Sequence, residues 1–302
     1  MQPTRLRRCV LSVPGSSEKM LGKAADMEID GVFLDLEDAV APDAKAGARH
    51  MIVEALNAGA WTPRSVSVRI NDVTTPYCHR DIIEVVEGAG DKLATIILTK
   101  ARDAADVRFV HLLLDQLEQG LGLTNRIGIE CLIEDVEGLQ NVQQIAASSD
   151  RLEALVLGMG DYSASQGMDV ANVGEDDGRY PPDLWHYPRY QMTIACRVNG
   201  LDAVDGPIAN FRDEAANRTD CERARVLGMD GKWAIHPNQV PIAVSTFTPD
   251  AERVALARRH RDAYAAALQQ GLGAIDVDGE MVDAATIRLL QNVLDRADLI
   301  GM

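Results

Sequence analysis

The sequence predicts a (β/α)₈ barrel followed by a C-terminal helical extension. Eight short apolar runs alternate with helical patterns over most of the chain, as in proteins built from repeated strand–helix units. At 302 residues the chain has the length of one barrel of ~250 residues plus an appendage. We therefore expect the barrel at residues 1–248 and the extension at residues 249–302.

The strands are assigned from apolar runs too short for a buried helix, and the helices from apolar residues three or four positions apart. The predicted strands are 9–13, 31–36, 65–70, 95–99, 127–133, 152–157, 201–204 and 232–235. The predicted helices are 18–27, 43–56, 79–87, 104–117, 136–147, 189–199 and 213–227. Strands that are joined by helices favour a parallel sheet, and eight of them are typical of a closed barrel.

Polar residues or turn formers stand at the carboxyl end of every predicted strand. They are Pro14-Gly15, Glu37-Asp38, Arg69 and Asn71, Lys100, Glu134, Asp161, Asp205 and His236. Any one of them is uninformative, because loops are polar in any case. The whole set predicts a charged pocket, since barrel proteins bind ligands where the carboxyl ends of the strands meet.

Two carboxylates follow neighbouring strands and are candidates for a metal site. Glu134 ends the run 127–133, and Asp161 follows the run 152–157 after a glycine-rich turn. Carboxylate oxygens with room beside them suit a hard divalent cation such as Mg²⁺. Taken singly, Glu134 is also compatible with a solvated helix cap, and Asp161 with an ordinary turn residue.

The composition argues against several classes of partner. The chain is 46% hydrophobic and 25% charged, with a formal net charge of −16. Such a charge argues against a nucleic-acid or anionic-membrane surface, but it leaves room for a phosphorylated small molecule held by local cations. The N-terminal segment lacks the apolar core of a signal peptide, and no run of ~18 apolar residues occurs. We therefore expect a cytoplasmic protein.

The cysteines indicate reduced thiols. There are five, at Cys9, Cys78, Cys131, Cys196 and Cys221, and none forms a CxxC pair. This spacing is typical of neither a zinc site nor a disulfide framework.

The connection after the sixth strand, residues 162–188, is long for a strand-to-helix loop. At the binding face of a barrel we expect such a loop to contact substrate. Its acidic pair, Asp176 and Asp177, is expected to be solvated.

The chain continues for ~50 residues beyond the predicted barrel. A helix is expected to begin at Pro249-Asp250, followed by a short run at 274–277, a turn at Asp278-Gly279 and a last helix from about Asp283. This segment is expected to pack on its own barrel or on a neighbouring subunit.

Eight blocks of the sequence resemble one known family. They are RRCVLSVPGS, GVFLDLEDAVAPDAK, SVRIN, IECLIEDVEGL, GMGDYSAS, DAVDGP, GKWAIHPNQV and DGEMVDAATI. In this order they are similar to the citrate lyase β-subunit-like CoA-ester lyases of the HpcH/HpaI aldolase superfamily, in particular to the malyl-CoA, β-methylmalyl-CoA and citramalyl-CoA lyases. The resemblance implies a Mg²⁺-dependent barrel, with Mn²⁺ as an alternative ion. It also implies a homotrimer or homohexamer in which the C-terminal segment completes a neighbouring protomer's active site.

The resemblance also implies roles for the charged residues. Glu134 and Asp161 match the metal ligands, and the metal would polarise the carbonyl of a small 2-oxo acid. Arg69 matches the arginine that stabilises the enolate oxygen of an acyl-CoA thioester, for which its planar donors are suited. An arginine paired with Glu37 or Asp38 is compatible with the same position.

The remaining catalytic assignments follow from the same blocks. Asp283 matches the catalytic base contributed by the neighbouring subunit, although an Asp before Ala-Ala-Thr-Ile is also a good helix N-cap. Glu37 and Asp38 are expected to organise the waters on the metal and to orient Arg69.

Coenzyme A, as part of the substrate, requires local cations. Pro14-Gly15 precedes a helix whose first amides form an anion site, and Lys19 and Lys23 follow at helical spacing. Relatives commonly carry arginine in place of Lys19. Ile235 and His236 resemble the block that lines the coenzyme A channel, although a histidine there is also typical of a core or capping role.

Four functions are therefore compatible with the sequence. The leading one is cleavage or Claisen formation of a β-hydroxyacyl-CoA, giving an acyl-CoA plus glyoxylate or pyruvate. A malyl-CoA thioesterase would use the same residues. The others are the β subunit of a citrate lyase acting on an acyl-carrier protein and a catalytically inactive binding barrel.

Overall fold

The computed structural model describes residues 5–174 and 183–302, and the acidic pair Asp176 and Asp177 lies outside these ranges. The chain divides into two compact units, Met1–Val244 and Ser245–Met302. No described helix combines the length and apolarity needed to cross a bilayer.

The first unit is a closed barrel of eight parallel strands, which confirms the predicted fold class. The strands are β1 Cys9–Pro14, β2 Gly31–Asp35, β3 Val66–Arg69, β4 Thr95–Leu98, β5 Gly128–Ile133, β6 Leu152–Leu157, β7 Asp202–Asp205 and β8 Gly231–Ala234. Each strand pairs with the next along the chain, and β1 pairs with β8 to close the barrel. Every predicted strand exists, with boundaries within a few residues of the expected ones.

Helices follow the strands and surround the sheet. They are α1 Glu18–Ala25, α2 Lys45–Ala58, α3 Cys78–Ala89, α4 Ala104–Leu121, α5 Val136–Gln140, α6 Val142–Ala146, α7 Met159–Gln166, α8 His186–Asn199, α9 Glu214–Val226 and α10 Val240–Phe247. Aspartates at Asp103, Asp135 and Asp213 cap three of them by accepting from first-turn amides.

Two expectations about the helices are wrong. The helix expected at 136–147 is broken at Asn141, whose side chain donates to the carbonyl of Arg102 instead of facing solvent. The connection expected at 162–188 is shorter than predicted at both ends, because α7 continues to Gln166 and α8 begins at His186.

Alternation along the strands determines which side chains enter the barrel. The buried apolar cluster inside it contains Val10, Phe33, Ile97, Leu132, Ala154, Val156, Val204 and Trp233. Residues two positions beyond Phe33 and Leu132 face the same way, because strand side chains alternate. Asp35 and Glu134 therefore lie on the inner face, at the carboxyl end.

The second unit contains α11 Ala251–Gln269, β9 Ala274–Val277, β10 Glu280–Asp283 and α12 Ala284–Leu299. The two strands form an antiparallel hairpin whose turn residues, Asp278 and Gly279, both have positive φ, as an Asp-Gly type I′ turn requires. The helices pack through a small apolar core of Val254, Ala257, Leu294 and Ala297.

Candidate active site

The carboxyl end of the barrel is organised around Arg69. Its Nε and Nη2 donate to the two carboxylate oxygens of Asp35 at 2.7 and 2.6 Å. Asp35 is fully buried and pairs in register with Arg69 across β2 and β3. Burial is the largest single effect on the pKa of Asp35 and would raise it. The hydrogen bonds and charge of Arg69, together with the amides of Glu37 and Ala39, outweigh burial and hold that pKa below its ordinary value.

Two aromatic rings lie beneath the Arg69 guanidinium. Its central carbon is 5.5 Å from the ring centre of Phe33 and 6.0 Å from that of Trp233. The two rings contact each other with centroids 4.1 Å apart. This platform and the Asp35 carboxylate fix Arg69 from below and from the side, so its orientation is largely determined before any ligand binds.

Asp35 also holds the loop that carries the predicted pair Glu37 and Asp38. The amides of Glu37 and Ala39 donate to its carboxylate at 2.9 and 3.0 Å. Arg69 Nη1 lies 3.2 Å from Glu37 Oε2 and 3.8 Å from Asp38 Oδ2. Arg69 therefore does lie beside Glu37 and Asp38, as one interpretation of the sequence expected, but the closest partner of Arg69 is Asp35.

Lys100, directly after β4, brings three of the candidate carboxylates together. Its ammonium is 2.6 Å from Glu37 Oε1 and 3.4 Å from Asp161 Oδ2. Its amide donates to Glu134 Oε1 at 2.9 Å. The predicted metal ligands therefore both contact Lys100, Glu134 through the backbone amide and Asp161 through the ammonium, which also binds Glu37.

Glu134 is 4% exposed and lies against Gly158. A Cβ at Gly158 would stand 2.5 Å from Glu134 Oε2, so glycine is needed there for the carboxylate to fit. Burial raises the pKa of Glu134 to about 8, although the charges of Lys100 and Arg69 act in the opposite direction. A cation bound beside this buried carboxylate would stabilise its ionised form.

Glu134 and Asp161 fit a Mg²⁺ site. Asp161 lies in the first turn of α7, and its side chain is 44% exposed. Throughout the described residues there is no cluster of three or more side chains that could hold a metal alone. Mg²⁺ is commonly bound by one or two carboxylates, with water and substrate oxygens completing the shell, and this donor set satisfies that pattern.

Of the residues expected to bind the phosphates of coenzyme A, the two lysines are exposed but the Gly15 amide is already hydrogen-bonded. The amide of Gly15 donates to the carbonyl of Asp35 at 2.9 Å, and a Cβ there would stand 2.6 Å from the same oxygen. Gly15 is thus required by packing next to Pro14, and its amide is already bonded. The side chains of Lys19 and Lys23 on α1 are exposed.

His236 caps a short helical turn, as one of the two sequence interpretations expected. Its Nδ1 accepts from the amide of Asn238 at 3.2 Å, and its ring stacks on Phe211 at 4.3 Å. Ile235 beside it is 46% exposed, unusually high for an isoleucine. The pair therefore presents an apolar surface next to the carboxyl end of β8.

Asp283 is the N-cap of α12 in the second unit. Its Oδ1 accepts from the amides of Ala285 and Thr286, both at 2.9 Å, and from the Thr286 hydroxyl. The hydrogen bonds from Thr286 lower the pKa of Asp283. All these bonds end on Oδ1, so Oδ2 takes no part in the cap.

Asp205 does not line the expected charged pocket. It is fully buried on the outer side of β7, where it binds Arg189 at 2.9 Å and Lys232 at 2.5 Å. Asp220 of α9 binds the same two cations, both at 2.5 Å. This buried ion cluster of Arg189, Asp205, Asp220 and Lys232 joins the last two strands to their helices.

Sequence reasoning missed the role of Asp35. The predicted strand 31–36 placed Asp35 inside the strand, whereas β2 ends at Asp35. The signal was present, because Asp35 precedes Glu37 by two positions and so shares its side of the strand. For Lys100, the sequence placed it at a strand end but could not indicate its backbone conformation.

Comparisons with known proteins give consistent matches over nearly the whole chain. The sequence model of the family described as HpcH/HpaI aldolase/citrate lyase matches residues 8–237. The chain is 40% identical to the L-malyl-CoA/β-methylmalyl-CoA lyase of Cereibacter sphaeroides, over 99% of this chain and 97% of that protein. It is 33% identical to the (3S)-malyl-CoA thioesterase of the same species, over 97% of this chain and 95% of that protein.

A solved structure is similar over nearly the full length. It is the CitE protein of Mycobacterium tuberculosis in complex with magnesium, acetoacetate and coenzyme A. The TM-score is 0.74 at 28% sequence identity, and the match covers 96% of this chain and 97% of that one.

Proposed function

The chain belongs to the HpcH/HpaI aldolase/citrate lyase family, and from this premise we propose that it is a Mg²⁺-dependent carbon–carbon lyase. Its substrate would be a β-hydroxyacyl-CoA such as malyl-CoA, β-methylmalyl-CoA or citramalyl-CoA, which it would cleave to an acyl-CoA and glyoxylate or pyruvate. The observation that carries the proposal is the fixed guanidinium of Arg69 in one pocket with Glu134 and Asp161.

Each of these residues would have a separate role in the reaction. Arg69 would donate N–H groups that are not bonded to Asp35 to the thioester oxygen, where negative charge develops as the carbon–carbon bond breaks and the enolate forms. Glu134 and Asp161 would hold the ion. Mg²⁺ bound there supplies Lewis-acid polarisation of the oxygen that becomes the keto group. Because Asp35 fixes Arg69 beforehand, little reorganisation is needed as charge develops.

Asp283 is the proposed proton-transfer group, contributed by residues 249–302 of a neighbouring protomer in a homo-oligomer. In condensation it would remove a proton from the α-carbon of the acyl-CoA. In cleavage it would accept the proton that the β-hydroxyl loses and then deliver it to the enolate carbon, so that it ends as the carboxylate it began as. Its Oδ2 is outside the helix cap, and its lowered pKa keeps it ionised and able to accept a proton. A capping role and a catalytic role are therefore compatible.

Coenzyme A would be held by local cations on an acidic protein. Lys19 and Lys23 are exposed on α1 and would contact phosphate groups, and the surface of Ile235 and His236 would contact the apolar part of the cofactor. A relative that is 40% identical is named an L-malyl-CoA/β-methylmalyl-CoA lyase, which supports a coenzyme A thioester as the substrate.

A thioesterase is the second candidate, because a relative at 33% identity is named a malyl-CoA thioesterase. The test is to incubate purified protein and Mg²⁺ with malyl-CoA, methylmalyl-CoA and citramalyl-CoA, and to measure 2-oxo acid and free CoA thiol together. Release of 2-oxo acid without thiol supports the lyase. Thiol without 2-oxo acid would contradict it and establish the thioesterase.

A further inference from the structure

The backbone of Lys100 has an unusual conformation. Its φ is 49°, in the left-handed region, and among the described residues only Asp278 is another non-glycine residue with positive φ. This conformation is unfavourable for a residue with a Cβ and persists only where the surroundings determine it. Here it directs the Lys100 amide at Glu134 Oε1, 2.9 Å away.

The side chain of Lys100 extends to a second candidate ligand. Its ammonium is 3.4 Å from Asp161 Oδ2 while it remains 2.6 Å from Glu37 Oε1. The lysine side chain is 27% exposed and the Glu37 side chain only 9%, so solvent screens the contact with Glu37 weakly. A cation at this place neutralises part of the negative charge that would attract a divalent ion.

We propose that Lys100 sets the affinity of the Glu134 and Asp161 pair for Mg²⁺. Its amide fixes Glu134, and its ammonium competes with the divalent ion for Asp161. The inference rests on the proposed function and deepens it. Mg²⁺ binding then depends on the extra oxygens that a 2-oxo acid provides, because these compensate for the competing ammonium. Metal and substrate binding are coupled as a result.

The amide and the ammonium can be separated by mutation. Lys100→Gly adopts the left-handed conformation without strain and keeps the amide, so it removes the side chain with its ammonium and leaves the backbone contact. Lys100→Met keeps the side-chain length without the charge and serves as a second variant if glycine perturbs folding. Lys100→Arg keeps the charge and is the matched control. Circular dichroism establishes that each variant is folded.

The experiment is a calorimetric titration of the metal-stripped, full-length protein with Mg²⁺ at constant ionic strength. We expect the Kd to fall at least ~10-fold in Lys100→Gly and Lys100→Met, because removal of a unit charge a few ångströms from a divalent ion strengthens binding by that order. In Lys100→Arg it should stay within about threefold of wild type.

The outcomes separate this inference from the proposed function. If wild type binds Mg²⁺ and neither charge-removing variant binds it more tightly, the inference is overturned and the metal site stands. If wild type shows no saturable Mg²⁺ binding even with glyoxylate or pyruvate present, the metal site and the proposed function fail, and this inference fails with them.

Discussion

Asp35 and Arg69 form a two-point ion pair inside the barrel, with N–O distances of 2.7 and 2.6 Å and a fully buried carboxylate. The same carboxylate accepts the amides of Glu37 and Ala39. One side chain therefore positions both the guanidinium and the acidic loop beside it. A buried charge that loses its partner is costly, so the fold and the site both depend on this pair.

Asp35→Asn should therefore impair stability and catalysis together. We expect the free energy of unfolding to fall by ~3 kcal/mol, because Arg69 would keep a buried charge without its ionised partner. We expect kcat to fall by ~100-fold, with a smaller change in KM, because the arginine is misplaced for the transition state. Urea denaturation and steady-state kinetics measure the two effects. Asp38→Asn, at an exposed side chain, is the control, and an equal loss there would contradict the special role of Asp35.

Glu134→Gln and Asp161→Asn should each abolish tight Mg²⁺ binding without unfolding the protein. The amides keep the shape of the side chains but remove the anionic oxygens that a hard cation requires. Glu134→Gln should be at least as stable as wild type at pH 9, because it removes a buried charge. Calorimetry with Mg²⁺ and thermal denaturation are the measurements. Near-normal turnover of either variant at limiting Mg²⁺ would show that the metal assignment is wrong.

Mg²⁺ binding should strengthen as the pH rises toward 8. The pKa of Glu134 is raised to about 8, so below that pH the ion must displace a proton from this carboxylate. The apparent Kd should fall by up to ~10-fold per pH unit between pH 6 and 8 and then level off. The raised pKa also makes stability depend on pH when no ion is bound. The folded protein keeps a proton on Glu134 that the unfolded chain has lost, so the free energy of unfolding should fall as the pH rises toward 8. Calorimetry in buffers of different ionisation enthalpy counts the released protons, and release of none would refute the prediction.

The C-terminal segment should act on a neighbouring protomer. Asp283→Asn and Arg69→Ala should each lose nearly all activity alone. After subunit exchange, a mixture should regain part of it, because sites form with an intact Arg69 from one chain and an intact Asp283 from another. Activity of the mixture is measured after exchange has been verified with labelled subunits. Exchange without recovery would place Asp283 in its own protomer's site or leave it with the helix cap alone.

The predictions of strands and helix starts were confirmed where they rested on local sequence pattern. The apolar runs gave all eight strands, and Asp283 before Ala-Ala-Thr indicated a helix start that the structure contains. Asp205 shows the limit of this reasoning. Alternation along a strand separates its two sides, but it does not say which side faces the barrel interior. That choice depends on the pairing register, and it places Asp205 against Arg189 and Lys232 in the helix layer.

The site was recognisable from its charges but not from its connections. Glu134 and Asp161 were predicted because they follow adjacent strands, whereas their link through Lys100 depends on a left-handed backbone at a non-glycine residue. No residue preference indicates that conformation in a lysine. Likewise, the Phe33 and Trp233 platform joins β2 to β8, which are far apart in sequence and meet only when the barrel closes.

The buried ion cluster of Arg189, Asp205, Asp220 and Lys232 has a consequence for the cooperativity of local unfolding. Its members come from α8, β7, α9 and β8, the last part of the barrel to be synthesised. Because each charge is tolerated in the interior only when its partners are present, partial docking of these elements leaves an unpaired ion. The last quarter of the barrel should therefore open and close as one unit, and amides in β7, α9 and β8 should share a single opening free energy in hydrogen exchange.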